Sequence, residues 1–297
     1  MLGACATGSP ISQTVSIEIF DVWPGDPPGG EKVTAREEII ERSTTPGLHD
    51  RAVIHVRKPT LKVFRPVKPD GACVLVLPGG AYQRVVLDKE GDETAMRLAQ
   101  AGVTAAVLVY RLPEDGWAAG REAPLQDAQR AMRLIRSGRV AQGLDQKRIG
   151  VLGFSAGGHL AATLTLLGGG QTYPAIDAAD AVSARPDFAA LIYAAYLDGK
   201  GSPAILHGPA GPAPDLIGRV GRETQPVFLL HAADDASVPV ETSIRMYGAL
   251  KAAGVPAELH VFPEGGHGFG IAKAKGKPVE AWPDLLLAWG SARGMFR

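Results

Sequence analysis

The stretch Ile149–Ala161 has the sequence Ile-Gly-Val-Leu-Gly-Phe-Ser-Ala-Gly-Gly-His-Leu-Ala, and it decides the fold. The apolar run up to Phe154 predicts a buried strand, and the residues from Ala156 to Leu167 predict a helix. Between them, Gly153–Gly157 fits the pattern Gly-x-Ser-x-Gly around Ser155. An ordinary serine at a helix N-cap is the alternative. The strand before the motif and the helix after it favour a sharp turn that presents Ser155 as a nucleophile.

Strands and helices alternate on both sides of this turn. The predicted strands are Thr14–Trp23, Ala52–Arg57, Thr60–Arg65, Ala72–Leu77, Val103–Val109, Arg148–Phe154, Phe188–Ala194, Val227–Ala232 and Ala257–Phe262. The predicted helices are Asp92–Ala101, Pro124–Val140, Ala156–Leu167, Val240–Ala253 and a closing helix that contains Trp282–Trp289. This alternation predicts an α/β fold with a mostly parallel central sheet and helices on both faces.

The 297 residues are expected to form a single domain, because no shift in composition marks a boundary. Residues 1–14 are small and polar and are predicted to be disordered. Residues 15–70 are expected to contribute N-terminal strands and loops to the same domain, with the charged stretch 31–50 on its surface. Residues 168–186 and 198–224, rich in Gly, Pro and Ala, are expected to form loops above the sheet, where substrate sites usually lie.

The charge balance excludes some classes of partner. Lys plus Arg and Asp plus Glu both number 31, so neither nucleic acid nor an acidic membrane surface is expected as a partner. No apolar run is long enough to span a membrane. Cys73 lies in a predicted strand, and a disulfide with Cys5 is not expected. Leu2–Cys5 is similar to a lipoprotein cleavage site, which favours a periplasmic or secreted location over the alternative of a cytoplasmic one.

A serine nucleophile needs a base, and His267 is the best placed of seven histidines. It lies in a glycine-rich loop directly after the predicted strand that ends at Phe262, where reacting groups of such sheets collect. His231 and His260 lie within strands, where packed and hydrogen-bonded side chains are expected. His159 is expected to point away from Ser155. The remaining histidines have no supporting context: His49, His55 and His207.

The base in turn needs a carboxylate to hold its tautomer, and oxyanion donors complete the site. Asp234 and Asp235 both follow a predicted strand, and spacing alone allows either of them. The order serine, aspartate, histidine is that of α/β-hydrolases. The turn Pro78–Tyr82 ends another buried strand with small residues that leave amides open to a ligand. The amide of Ala156 is a further candidate donor.

Taken together, these motifs resemble the branch of the α/β-hydrolases that contains acetylxylan-esterase-like enzymes and relatives of hormone-sensitive lipase. The matching stretches are Val22–Gly29, Leu77–Tyr82, Asp88–Gly91, Tyr110–Pro113, Pro124–Ala131, Gly150–Ala161, Asp234–Pro239 and Gly265–Gly270. The resemblance implies that the acid is Asp235, in Asp-x-x-Val-Pro. It also implies that the oxyanion donors are the amides of Gly80, Ala81 and Ala156. Relatives with His-Gly-Gly-Gly differ at Pro78 and Ala81, which changes side chains but keeps the backbone donors.

The resemblance implies a serine esterase that removes short acyl groups, above all acetyl, from a carbohydrate such as xylan or xylo-oligosaccharides by way of an acyl-enzyme. The alternatives are a general short-chain carboxylesterase on small apolar esters, a peptidase and a non-catalytic binding module on the same fold. Tyr82, Arg84 and Trp117 are candidate contacts to the substrate, although packing roles explain them equally well. No metal cluster or phosphate loop is present in the sequence, so no metal or cofactor is expected.

Overall fold

The structure is a computed structural model that describes residues 14–207 and 213–297. Within these ranges the strands are β1 Ser16–Asp21, β2 Glu38–Glu41, β3 Arg51–Ile54, β4 Thr60–Arg65, β5 Cys73–Leu77, β6 Val85–Val86, β7 Thr104–Val109, β8 Ile149–Phe154, β9 Ala189–Ile192, β10 Val227–Ala232 and β11 Ala257–Phe262. The α-helices are α1 Glu93–Gln100, α2 Ala123–Arg136, α3 Ser155–Leu167, α4 Glu241–Ala252 and α5 Trp282–Ala292. The predictions for Leu2–Cys5, and for residues 1–14 apart from Thr14, lie outside the described residues.

Eight strands form one sheet in the order β1-β4-β7-β5-β8-β9-β10-β11. All neighbours from β7 to β11 pair in parallel, whereas β1 pairs with β4, and β4 with β7, in antiparallel fashion. This confirms the predicted mostly parallel sheet. Since β5, β8, β10 and β11 run in one direction, the loops that follow them lie along the same edge of the sheet.

Alternate side chains along the parallel strands face two separate cores. Leu75 and Leu77 of β5 belong to a cluster completed by α2, α3 and α4. Val74 and Val76 belong to a second cluster completed by α1 and α5. Because both faces of the central sheet are covered there, the strands β5, β8 and β10 are fully buried and largely apolar, which is why the sequence pattern located them.

A second, small sheet was not predicted from the sequence. It has the order β2-β3-β6, with antiparallel pairs throughout. Residues 31–50 were expected to be charged surface, and they are mostly exposed, but no strand was predicted where β2 lies. Its four residues are mostly exposed and carry a glutamate at each end, so the strand is formed by its pairing with β3 rather than by a local pattern.

A buried ion pair joins three segments of the chain. Arg111, just after β7, and Asp127, in α2, have fully buried side chains that meet at 2.8 Å. Trp23, which follows β1, donates its indole N–H to the same carboxylate at 2.8 Å. Trp23 therefore lies beyond the end of β1, although the sequence pattern placed it within the strand. The pair attaches the N-terminal segment to the central sheet.

Removal of one member of this ion pair should destabilise the folded protein. Asp127→Ala should lower the free energy of unfolding by about 3–5 kcal/mol, because it leaves the Arg111 cation buried without its counter-ion. The control is Asp21→Ala, whose carboxylate pairs with Lys58 at 2.8 Å while both side chains are half-exposed. That change should cost less than about 1 kcal/mol. Urea denaturation of both variants checks the prediction, and equal losses would contradict it.

Candidate active site

Ser155 lies at the turn between β8 and α3 and has a backbone φ of 52°. This left-handed conformation is rare for a residue with a side chain and is typical of strained functional sites. The flanking glycines are required by close packing. A Cβ at Gly153 would lie 2.1 Å from the carbonyl oxygen of Gly157, and a Cβ at Gly157 would lie 2.1 Å from that of Leu77. The turn can form only because both side chains are absent.

A chain of two hydrogen bonds leads from this serine to a buried carboxylate. The Oγ atom of Ser155 lies 2.8 Å from Nε2 of His267, and Nδ1 of the same ring lies 2.7 Å from Oδ2 of Asp235. An ionised carboxylate can only accept hydrogen bonds, so Nδ1 carries the proton. The Nε2 lone pair is then free to accept the serine proton, which is the arrangement that a general base requires.

The structure distinguishes the two aspartates that the spacing left open. Oδ2 of Asp235 contacts the imidazole of His267. Oδ1 of the same residue accepts hydrogen bonds from the backbone amides of Ser237 and Val238, each at 2.9 Å. Asp234 is exposed, and its carboxylate accepts the amide of Gly266 at 2.7 Å. Asp234 therefore holds the backbone of the histidine loop, whereas Asp235 orients the ring.

Burial by itself would raise the pKa of Asp235, but hydrogen bonds from His231, His267 and the Val238 amide outweigh burial and hold it well below its ordinary value. The carboxylate thus stays ionised beside the imidazole. An ionised partner stabilises the imidazolium that forms when the base takes a proton.

A second imidazole contacts this carboxylate, and the sequence did not predict that contact. His231, at the end of β10, places Nε2 3.2 Å from Asp235 Oδ2 and 3.1 Å from the carbonyl oxygen of Val238. Two acceptors around one nitrogen mean that Nε2 carries the proton, so Nδ1 accepts a hydrogen bond from Ser243 Oγ at 2.8 Å. The spacing of four residues between His231 and Asp235 across a strand end was the available signal.

The predicted oxyanion turn follows β5 and faces the nucleophile turn. Gly80 and Ala81 both have left-handed φ values, 137° and 57°, and a Cβ at Gly80 would lie 2.1 Å from the carbonyl oxygen of Arg84. Among the described residues, the amides of Gly80 and Ala81 find no protein acceptor. The amide of Ala156 lies in the first turn of α3, where helix amides have no partner within the helix. These three amides are available to a developing oxyanion.

Of the three predicted substrate contacts, Tyr82 and Arg84 lie at the oxyanion turn, whereas Trp117 lies elsewhere. Tyr82 is buried, and its hydroxyl lies 2.8 Å from Nδ1 of His159. Both rings line a small cavity of about 150 Å³. Arg84 is half-buried beside the oxyanion turn. Trp117 is buried against Val33 and lines a different hollow. His159, which is expected to point away from Ser155, contacts Tyr82 at the end of the oxyanion turn.

Two further predictions from the sequence concern a metal site and a membrane-spanning segment. Among the described residues there is no cluster of His, Cys, Asp and Glu side chains that could hold a metal ion. In the same part of the chain, no helix is both long enough and apolar enough to cross a membrane.

Comparison with known proteins places this site in a family. Residues 115–289, which include Ser155, Asp235 and His267, match the prolyl oligopeptidase family. The chain belongs to this family. Its central sheet and the helices packed around it form the α/β-hydrolase fold, as the sequence resemblance implied.

Two similar curated proteins are longer than this chain. The chain is 29% identical over 228 residues to an acetylxylan esterase of Xylanibacter ruminicola, covering 72% of this chain and 44% of the relative. It is 32% identical over 210 residues to endo-1,4-beta-xylanase B of Butyrivibrio fibrisolvens, covering 67% of this chain and 33% of the relative. The chain thus spans less than half the length of these curated relatives.

A solved structure matches along nearly the whole chain. The acetyl ester-xyloside bifunctional hydrolase of Caldicellulosiruptor lactoaceticus is 32% identical and has a TM-score of 0.71. The match covers 97% of this chain and 100% of that one. Together with the acetylxylan esterase, it confirms the resemblance stated from the sequence motifs.

The two aspartates provide a matched pair of variants. Asp235→Asn should reduce kcat by roughly 10³–10⁴-fold, because a neutral amide neither fixes the tautomer of His267 nor stabilises its cation. Asp234→Asn keeps a carbonyl oxygen that can accept the Gly266 amide, so it should stay within about 3-fold of the native rate. Steady-state kinetics of both variants check this. A larger loss at Asp234 would reverse the assignment.

Turnover should fall as the pH is lowered from about 8 to about 5, because a protonated His267 has no lone pair to take the serine proton. Two other groups are excluded as the cause. Asp235 stays ionised, since its pKa lies below its ordinary value, and burial lowers the pKa of His159 to about 4. Measurement of kcat/KM across this range, with circular dichroism to verify folding, checks the prediction. A flat profile would contradict the role of His267 as base.

Proposed function

We propose that the chain is a serine esterase that removes short acyl groups, above all acetyl, from carbohydrate esters such as acetylated xylan or its oligosaccharides. The observation that carries the proposal is the hydrogen-bonded series Ser155–His267–Asp235 beside three open backbone amides. The names of the similar proteins support the substrate class, since they are an acetylxylan esterase, a xylanase and an acetyl ester-xyloside hydrolase.

In the proposed first step, Ser155 Oγ attacks the ester carbonyl carbon while its proton passes to Nε2 of His267. The negative charge that develops on the carbonyl oxygen is accepted by the amides of Gly80, Ala81 and Ala156. Collapse of this intermediate breaks the bond to the alcohol, which leaves with the proton held by His267. The acyl group remains as an ester on Ser155.

In the second step, water attacks the acyl-enzyme and gives its proton to His267. The carboxylic acid then leaves, and the proton returns to Ser155 Oγ. No cofactor or metal takes part, since acyl transfer to water needs only a nucleophile, a base and oxyanion donors. Asp235 keeps its charge throughout and stabilises the imidazolium in both steps.

A general short-chain carboxylesterase is the second candidate, and the lining of one cavity is compatible with it. The cavity beside the oxyanion turn has mostly apolar walls, which include Pro124, Leu125, Leu160 and Leu167. Such walls suit the acyl chain of an ester whatever its alcohol. A peptidase is the third possibility, because the matching family is named after one. The three candidates share the same reacting groups and differ in the substrate that they prefer.

The nucleophile is tested by Ser155→Ala on acetylated xylo-oligosaccharides, p-nitrophenyl acetate and a prolyl p-nitroanilide. The native protein should hydrolyse the first two far faster than the anilide, with the sugar ester preferred in kcat/KM. The variant should lose several orders of magnitude in kcat while it unfolds at a similar temperature. A folded variant with most of its activity would contradict the proposal, and a preference for the anilide would favour the peptidase.

Acyl length should also limit the rate. We assign the acyl group to the cavity of about 150 Å³, a volume comparable to a cavity that holds benzene. A space of this size suits the acyl groups of acetate and butyrate esters better than that of octanoate. Across a p-nitrophenyl ester series, kcat/KM should therefore fall beyond about six carbons, despite the ~0.8 kcal/mol that each buried methylene could add.

Two leucine-to-alanine variants distinguish an effect of cavity size on acyl-chain preference from the general effect of shortening a leucine. Leu125→Ala enlarges the cavity and should shift the preference towards longer acyl chains. Leu285→Ala makes the same change in a half-buried residue of α5, on the opposite face of the sheet, and should leave the preference unchanged. A native preference for octanoate over acetate would contradict the assignment.

A further inference from the structure

Glu90 is a buried acidic residue that the proposed mechanism does not use. It lies in a π-helical turn, Asp88–Asp92, directly before α1, and it is 2% exposed. A carboxylate removed from water is costly unless both of its oxygens accept hydrogen bonds. The partners of these two oxygens therefore show what the residue does.

The first oxygen holds the turn that carries the candidate oxyanion donors. Oε2 of Glu90 accepts the amide of Gly79 at 2.7 Å. Gly79 is packed between this carboxylate and the nucleophile, since a Cβ there would lie 2.9 Å from Glu90 Oε2 and 3.0 Å from Ser155 Cβ. The bond thus fixes the turn immediately before the amides of Gly80 and Ala81.

The second oxygen reaches the loop of the candidate base through one tyrosine. Oε1 of Glu90 accepts the hydroxyl of Tyr193 at 3.0 Å, and the Tyr193 oxygen accepts the amide of Gly270 at 3.1 Å. Burial, and next the negative charge of Glu90, hold the pKa of Tyr193 well above its ordinary value. Tyr193 therefore keeps the proton that it donates.

Tyr193 also contacts the imidazole itself. Its ring lies edge-on to that of His267, with 5.1 Å between the centroids. Gly270 follows His267 by only three residues, so the tyrosine fixes both the ring and the backbone of the loop. A separate link joins the two segments through the backbone, where Ile271 donates its amide to the Lys89 carbonyl oxygen at 3.1 Å.

We propose that Glu90 is a positioning residue that sets the distance between the oxyanion amides and the general base across Ser155, with Tyr193 as its link to the base loop. This inference rests on the proposed ester hydrolysis. A misplacement of about 1 Å at such a site can cost 10²-fold in rate. The Gly79 amide and the Tyr193 hydroxyl both donate hydrogen bonds to this side chain. A carboxylate can accept both of them, because each of its oxygens is an acceptor.

The test is Glu90→Gln, which keeps the shape of the side chain. The glutamine oxygen can still accept a hydrogen bond from one of the two donors. Its NH₂ group cannot accept a hydrogen bond, so the bond to the other donor is lost. With p-nitrophenyl acetate, kcat should fall about 10–100-fold while KM changes by less than about 3-fold. Tyr193→Phe removes one hydroxyl and should lower kcat in the same way. The double variant should lose less than the product of the two single losses, because both changes break one link.

Glu93→Gln is the matched control. Glu93 lies three residues further on, in α1, and its carboxylate also accepts an amide from the segment after His267, that of Ala272 at 2.9 Å. It is not bonded to Gly79 or Tyr193, and a glutamine oxygen still accepts the Ala272 amide. This variant should keep kcat within about 2-fold of the native value.

The inference is overturned if folded Glu90→Gln keeps kcat within about 2-fold, if Glu93→Gln loses as much, or if the losses at Glu90 and Tyr193 multiply. Should Glu90→Gln not fold, Tyr193→Phe decides, and an unchanged kcat there overturns it. Ser155→Ala is measured alongside. Activity in that variant overturns the proposed function, whereas an inactive Ser155→Ala beside a fully active Glu90→Gln overturns only the positioning role.

Discussion

The close approach of two backbones at one edge of the sheet is the constraint on which the rest of this site depends. The first turn of α3 packs against the end of β5 so tightly that a Cβ at Gly157 would lie 2.1 Å from the Leu77 carbonyl oxygen and 2.5 Å from that of Pro78. This contact places the turn with Ser155 directly opposite the turn with Gly80 and Ala81. The candidate nucleophile and the candidate oxyanion donors can face one another only because no side chain separates them.

The conformations that this packing imposes are unfavourable locally, and they cluster around the site. Ser155, Ala81, Tyr82 and Tyr193 all have positive φ values, although none is glycine. Such conformations cost roughly 1–3 kcal/mol each and persist only where the surroundings over-determine them. Here the surroundings are two covered faces of a parallel sheet, which supply a core large enough to hold the strained edge in place.

Two buried carboxylates organise the polar groups of this edge in similar ways. Asp235 accepts hydrogen bonds from two imidazoles and two amides, and Glu90 accepts one from an amide and one from a phenol. Hydrogen bonds are stronger in the low-dielectric interior of a protein than in water. A buried carboxylate whose oxygens all accept hydrogen bonds therefore holds its donors firmly in place. The loop of His267 is therefore held from both sides, by Asp235 at the ring and by Glu90, through Tyr193, at the backbone.

The sequence by itself determined the elements whose signals are local. The apolar runs of β5, β8 and β10, the Gly-x-Ser-x-Gly turn and the order of serine, aspartate and histidine predicted the fold class, because strands covered on both faces and sharp glycine turns leave short-range patterns. Their parallel direction was enough to bring the loops after these strands to one edge.

Only the tertiary structure decided which groups meet there. Spacing left Asp234 and Asp235 equivalent, and only the resemblance of the motif favoured Asp235. The structure shows that the loop path places the imidazole at Asp235 and the Gly266 amide at Asp234. The bond between Glu90 and Tyr193 joins residues that are 103 positions apart, and the strand β2 exists by pairing with β3. Such hydrogen bonds depend on how segments that are far apart in the sequence pack against one another. A local sequence pattern carries no information about that packing.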